Sequence, residues 1–400
     1  MKINFKLILA LLSISLLINQ TNIIADDGDL RTVEEFYPNG AVRANHQVKN
    51  DKLEGNAKTF YPSGQVMSES VYRNDLLEGE YKSYFESGKV YFVKNYKNGL
   101  LTGPAKEYFE TGGLKNEERY SADELEGECR YYFENQNVQF IMNFKAGKLN
   151  GLSKEFFETG KLKSEANYTN DVWDGKVKEF SEEGNLMAEW NYKNGQKQGE
   201  SKIFYSSGQV KWLAEFKDDE INGKTSVYDE SGKLMTEANL TKGQLNGLIY
   251  EYYPNGKIKS MMDYKDDQKH GLSKEFYPSG IISLEKTYDH GIESGVSKEF
   301  FEDGHVWIVR EFTDNSRNGT LKEYYPSGSL KQEWVIQSGK LEGLSKSYFE
   351  TGERLSEGNL KNGKKDGMFK VYLQTGELSA EEEFVLGDLI SRKELTSKAK

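Results

Sequence analysis

The sequence predicts an all-β protein, an elongated solenoid of about 15 antiparallel β-hairpin repeats of 24 residues forming a continuous twisted sheet. Three observations carry that expectation. A Gly returns every 24 residues at fourteen positions from Gly55 to Gly367, with no insertion or deletion. Aromatic and β-branched residues hold fixed columns between those glycines. Turn-forming residues punctuate each unit twice. A register kept this strictly signals one small unit copied and stacked.

The repeat sets the boundaries. Counting back from Gly55 places a first, Gly-less copy at Arg31, so fifteen copies fill residues 31–390. Residues 1–25 read as a signal peptide of the general secretory type. Lys2 and Lys6 precede an apolar run from Leu7 to Ile18, and cleavage after Ala25 fits the small residue preferred there. That run of 12 residues is too short to span a bilayer, which takes about 20. Residues 26–30 form a short linker, and 391–400 a polar tail expected to fray. The expected location is therefore outside the cytoplasm: periplasmic, on the cell surface or secreted.

Charge and cysteine usage exclude several classes. The formal charge is −11, and loss of residues 1–25, with two lysines and no acids, would leave −13. Phosphate binding needs a basic surface, so no nucleic acid is expected as a partner, and direct binding of acidic lipid is disfavoured. The single cysteine, Cys129, cannot form an intrachain disulfide.

Within one unit, numbered 1 to 24 from the recurrent Gly, position 6 is aromatic in all fifteen copies, from Phe36 to Tyr372. Position 12 is Val, Leu or Ile in fourteen, with Arg354 the exception. Position 18 is apolar throughout. Such columns, bounded by Gly, favour strands. Position 10 is Gly in fourteen copies, after pairs such as Pro62-Ser63, which fits a three-residue hairpin loop. Gln136 breaks that rule, and a local distortion is expected there. Position 21 is Gly, Asp or Asn in every copy, which fits a two-residue turn with positive φ. These turns pair 6 with 12 and 18 with 23. Paired residues share a face, so columns 6, 12, 18 and 23 are expected on one side, with columns 7, 15 and 17 on the other, and position 4 is Lys or Arg in twelve copies.

The recurring string Gly-x-x-Lys-x-Tyr/Phe-Tyr/Phe-x-x-Gly-x-Leu resembles the variant MORN repeat of bacterial proteins. Gly151–Leu162 and Gly319–Leu330 are typical instances. The resemblance covers residues 31–390. It implies a β-hairpin repeat with a binding or scaffolding role, and it carries no catalytic residues or cofactor. Many bacterial members bear the label YwqK family antitoxin, while eukaryotic relatives tie membranes to the cytoskeleton.

The residues offer little chemistry besides. His46, His270, His290 and His305 fall at positions 16, 24, 20 and 11, share no column, and read as surface or turn residues. No metal site is expected. The Glu column at position 15 repeats one environment, whereas acid–base catalysis needs two unlike ones, so it reads as a solvated face with cross-strand Lys partners. No catalytic residue, cofactor or enzymatic activity is expected. The candidate partner-binding residues are the position 7 aromatics: Tyr61, Phe85, Phe109, Phe133, Phe157, Tyr205, Tyr253, Tyr277, Phe301, Tyr325 and Phe349. A row of rings can grip an extended macromolecule. The expected function is an exported scaffold that binds a protein partner along a β-face, in surface adhesion or toxin immunity. The alternative is glycan or cell-wall binding through the aromatic ladder.

Overall fold

The computed structural model describes residues 21–26, 30–314 and 317–395. Among these there is no helix, and the strands pair antiparallel in both units, so the all-β hairpin repeat holds. The chain forms two compact units, Met1–Leu186 with Tyr192–Gly195 and Met187–Asn191 with Gln196–Lys400. Each is built from the same hairpin.

In the first unit, Lys52–Phe60 and Val66–Arg73 pair from Gly55↔Tyr72 to Phe60↔Val66. The N–H of Tyr61 donates to the carbonyl of Gln65 at 2.8 Å, closing a three-residue loop. In the second unit, Gly247–Tyr252 and Ile258–Lys265 repeat the pattern, from Gly247↔Tyr264 to Tyr252↔Ile258. The two-residue turns also form as expected: Asn74 and Asp75 take φ of 49° and 70°, and Tyr72 faces Leu77. Asn, Asp and Gly tolerate that left-handed geometry best.

Two expectations are corrected. At Gln136 the turn is not distorted. Its φ is 69°, the Phe133 N–H donates to Asn137 O at 2.9 Å, and the Gln136 Oε1 accepts from the Leu114 N–H at 2.9 Å. Gly113 leaves room for that side chain, since a β-carbon there would collide with it.

The second correction concerns the faces. Hairpins in both units carry a bulge one residue after the 6↔12 pair. Phe60 faces Val66, but Thr59 faces Ser68, so Met67 at position 13 is extra. A bulge shifts the alternation by one, and everything beyond it changes side. Columns 6 and 12 therefore lie with 4 and 15, whereas 18 and 23 lie with 3, 5, 14 and 16. Contacts confirm the split. The hydroxyl of Tyr84 (position 6) donates to Glu69 (position 15) at 2.7 Å. On the other side, Phe369 (position 3) packs edge-on against Phe384 (position 18), with ring centroids 5.4 Å apart. Column 7, placed opposite 6 from the sequence, is opposite 6, but it shares its side with 18 rather than with 15.

The buried residues, Ser226 apart, all sit on the side of column 18, chiefly at positions 3, 14 and 16. They are mostly small: Ala105, Cys129, Ser153, Ser201 and Ser297 at position 3, and Ala166, Ala214 and Ala238 at position 16. Small side chains there let the flanking aromatic residues fold over the strand centre. Trp212 and Phe216, on either side of Ala214, meet at 6.0 Å in the second unit, whereas in the first unit Tyr81 itself takes position 3 and stacks on Phe92 of position 14 at 5.6 Å.

Consecutive repeats are tied by backbone capping at the two-residue turn. A side chain at position 24 accepts the N–H of position 20 in the next repeat, as in Glu54 to Asn74 (2.9 Å) and Glu342 to Asn362 (2.9 Å). Position 17 reaches over the recurrent Gly. Asn95 Nδ2 donates to Pro104 O at 2.9 Å, and a β-carbon on Gly175 would stand 3.3 Å from the Asn167 side chain. With φ of 115°, Gly175 satisfies both demands, left-handed backbone and space.

The N-terminal leader lies outside the described residues up to residue 20. Thr21–Asp26, which span the expected cleavage point, form a strand paired antiparallel with Arg31–Phe36. At the other end, Ser391–Glu394 belong to the strand Asp388–Glu394, which pairs with Leu378–Val385.

Candidate binding face

The position 7 residues open the three-residue loop, one step past the last strand residue, and all eleven candidates are half-buried. Where the residue is Tyr, its hydroxyl crosses to the next repeat and donates to the carbonyl of position 6. Tyr61 bonds Tyr84 O (2.8 Å), Tyr205 bonds Tyr228 O (2.8 Å), and Tyr253 bonds Phe276 O (2.7 Å). Tyr277 bonds Phe300 O (2.7 Å), and Tyr325 bonds Tyr348 O (2.9 Å). Each such ring is held at both ends, by its backbone and by its hydroxyl. The phenol of Tyr61 is pushed up by burial and then by the nearby Glu86 and Glu110.

The bulged residue of column 13 covers one face of several rings. Tyr91 packs on Phe85 at 4.7 Å, and Trp307 on Phe301 at 5.7 Å. Lys163, Lys211 and Lys331 bring their ammonium groups to 6.0, 5.5 and 5.9 Å from the ring centres of Phe157, Tyr205 and Tyr325. The column is thus a fixed, partly exposed row with its polar atoms already engaged.

The opposite side carries the charged columns. Lys58 meets Glu69 at 2.8 Å, Lys106 meets Glu117 at 3.1 Å, Lys274 meets Glu285 at 2.8 Å, and Lys346 of one repeat meets Glu333 of the preceding one at 3.1 Å. This is the cross-strand Lys–Glu pairing expected for a solvated face, although the aromatic column 6 shares it. The Lys58 and Tyr84 hydrogen bonds hold the Glu69 carboxyl below the usual carboxylate range. Burial and the Glu69 carboxylate together push the Tyr84 phenol up to about 12. In the second unit Glu333 binds Tyr348 in the same way, with its lysine, Lys346, supplied by the following repeat, and the Tyr348 phenol is also pushed up to about 12 by burial and Glu333.

Cys129 is fully buried at position 3, opposite Met142, and burial pushes its thiol up. His46 lies at position 16 opposite Ala57, and His305 sits in a loop with Nδ1 3.1 Å from Asp303. His270 and His290 do meet, with ring centroids 5.5 Å apart. Their column numbers concealed this, because the capping contact that joins position 24 to the next position 20 runs between repeats. A spacing of 20 residues between polar side chains was the available signal.

The fold and its columns define a β-hairpin repeat scaffold, in which one turn-and-cap unit recurs. The family follows from the sequence match: eleven stretches, from 53–74 to 341–362, fit the family described as MORN repeat variant, and together they cover more than half of the chain. The protein belongs to that family. A comparison with curated proteins gives no match. Among solved structures, one described as the crystal structure of TcdB2-TccC3-TEV aligns at 10% identity, over 90% of this chain and 24% of that one. Its TM-score is 0.16, which carries no argument. The chain thus spans about a quarter of the length of that protein.

Proposed function

We propose that this repeat scaffold is an exported, non-enzymatic protein that binds a protein partner along the face bearing column 7. The observation that supports the reading most is the locked ring row, in which successive repeats present a half-exposed ring whose hydroxyl is tied to the next repeat. Rings fixed in advance lose little side-chain freedom on binding, which favours affinity. Surface adhesion and toxin immunity both fit such a role. Glycan stacking is less favoured, because Lys ammonium groups or rings from column 13 already approach Phe85, Phe157, Tyr205 and Tyr325.

The test is quantitative capture by the immobilised protein, compared with the triple variant Tyr253→Ala/Tyr277→Ala/Phe301→Ala. Loss of capture is expected, while Tyr253→Phe/Tyr277→Phe, which keeps the rings, retains it. Equal capture by the triple variant and the parent, with both melting cooperatively, rules out column 7. For export, residues 1–30 fused to a phosphatase active only outside the cytoplasm should give activity; a silent fusion sinks that part.

A further inference from the structure

We infer that His270, Asp289 and His290 form a binding site for a divalent transition-metal ion of the Zn²⁺ class, clipping two consecutive repeats together. All three residues lie in the second unit. One imidazole nitrogen of each histidine and a carboxylate oxygen of Asp289 lie within 4.8 Å of one another, the one such grouping of three or more ligand residues among the described residues. Nδ1 of His270 stands 3.5 Å from Oδ1 of Asp289, and Nδ1 of His290 stands 2.6 Å from the same oxygen. Zinc binds nitrogen and oxygen at about 2.0–2.2 Å in a tetrahedron, which places ligand atoms roughly 3.4 Å apart. The first separation already fits. The second needs to open by under about an ångström, which an exposed turn side chain allows.

The site arises from three departures at one point of the array. In eight other repeats position 24 supplies an acceptor to the N–H of the next position 20, as from Glu78 to Asn98 and from Asn246 to Asp266. Here it is His270. Its Nδ1 is shielded from solvent and makes no hydrogen bond. Position 20 is His290 where Asn recurs in other copies, and it keeps the left-handed φ of 48°. Position 19 is Asp289, in a column otherwise of Lys, Arg or uncharged residues. The backbone bond from the Gly291 N–H to the Lys269 carbonyl, 2.8 Å, holds the two segments in place. Two imidazoles and one carboxylate favour a d-block ion over Ca²⁺ or Mg²⁺, which take oxygen ligands. His290 and Asp289 remain well exposed, leaving the fourth position to water.

The test is calorimetric titration of the full chain with ZnCl₂, alongside thermal melts with and without the ion. One Zn²⁺ per chain and a raised melting temperature are expected. His270→Gln and His290→Asn are residues that other copies carry at these positions, as Gln198 and Asn98, so the turn should form in both variants. Each should weaken binding by at least the roughly tenfold that losing even a residue behind a ligand costs. His305→Gln should leave binding unchanged. Absence of Zn²⁺ binding in the parent, or binding unaltered in both variants, overturns the site. Neither outcome bears on capture through column 7.

Discussion

Gly358 lies directly beneath the ring of Phe369, so close that a β-carbon on Gly358 would overlap the ring carbons. Gly358 occupies column 16, where Ala166, Ala214 and Ala238 sit in other repeats, and Phe369 occupies column 3, otherwise often Ser. The two columns exchange volume. A large ring at position 3 of one repeat is matched by loss of the side chain at position 16 of the repeat before. Phe369, Phe384 and Leu360 make a buried cluster there, backed by Trp334 and Leu341.

Gly358→Ala should therefore destabilise the protein by about 1–3 kcal/mol, the cost of overpacking a filled site. Phe369→Ala alone should cost about 3–5 kcal/mol. In the double variant the two losses should be sub-additive, because the added methyl enters space the ring has left. Chemical denaturation of all three variants measures this, and strict additivity would count against the match.

Ser201 and Ser297 are almost completely buried, and their hydroxyls make no hydrogen bond. An unsatisfied buried hydroxyl costs about 1–3 kcal/mol, so size rather than hydrogen bonding explains Ser in this column. Ser201→Ala and Ser297→Ala should each leave the melting temperature unchanged or raise it. A clear fall in either would mean that the hydroxyl has a partner.

Stability should fall at both extremes of pH. Glu69 is held low by the Lys58 and Tyr84 hydrogen bonds, so its contribution is present above the ordinary carboxylate range and is lost as pH drops through its lowered value. Tyr84 and Tyr348, raised to about 12, act in the opposite sense. Their contribution is intact below about 10 and is lost as pH rises from there through about 12. Tyr84→Phe/Tyr348→Phe should flatten the alkaline limb of a stability–pH curve and leave the parent and variant alike near pH 8 in its shape. An unchanged alkaline limb would contradict the assignment.

The thiol of Cys129 should not react with Ellman's reagent in the native protein, because it is buried and burial raises its pKa. Reaction should appear together with global unfolding in denaturant. Rapid labelling without denaturant would show that the centre of that strand opens locally.

The repeat, its hairpins and both turn types were legible in the chain, because positive φ at positions 10 and 21 favours Gly, Asn or Asp and the sequence supplies them in nearly every copy, Gln136 excepted. So were the 6↔12 and 18↔23 pairs, which follow from loop length, and the presence of cross-strand Lys partners for the Glu column, although its exact partner column, 4, depends on the bulge. The side on which each column falls was not. Alternation assigns faces only along an unbroken strand, and one bulged residue at position 13, variously Lys, Met, Tyr or Trp, carries no local signal that it is extra. The meeting of His270 with His290 was equally hidden, since it depends on how one repeat's turn stacks on the last. Local backbone preference fixed the hairpin from sequence alone. Only tertiary pairing, where the register slips by one to satisfy the sheet, decided which side chains share a surface.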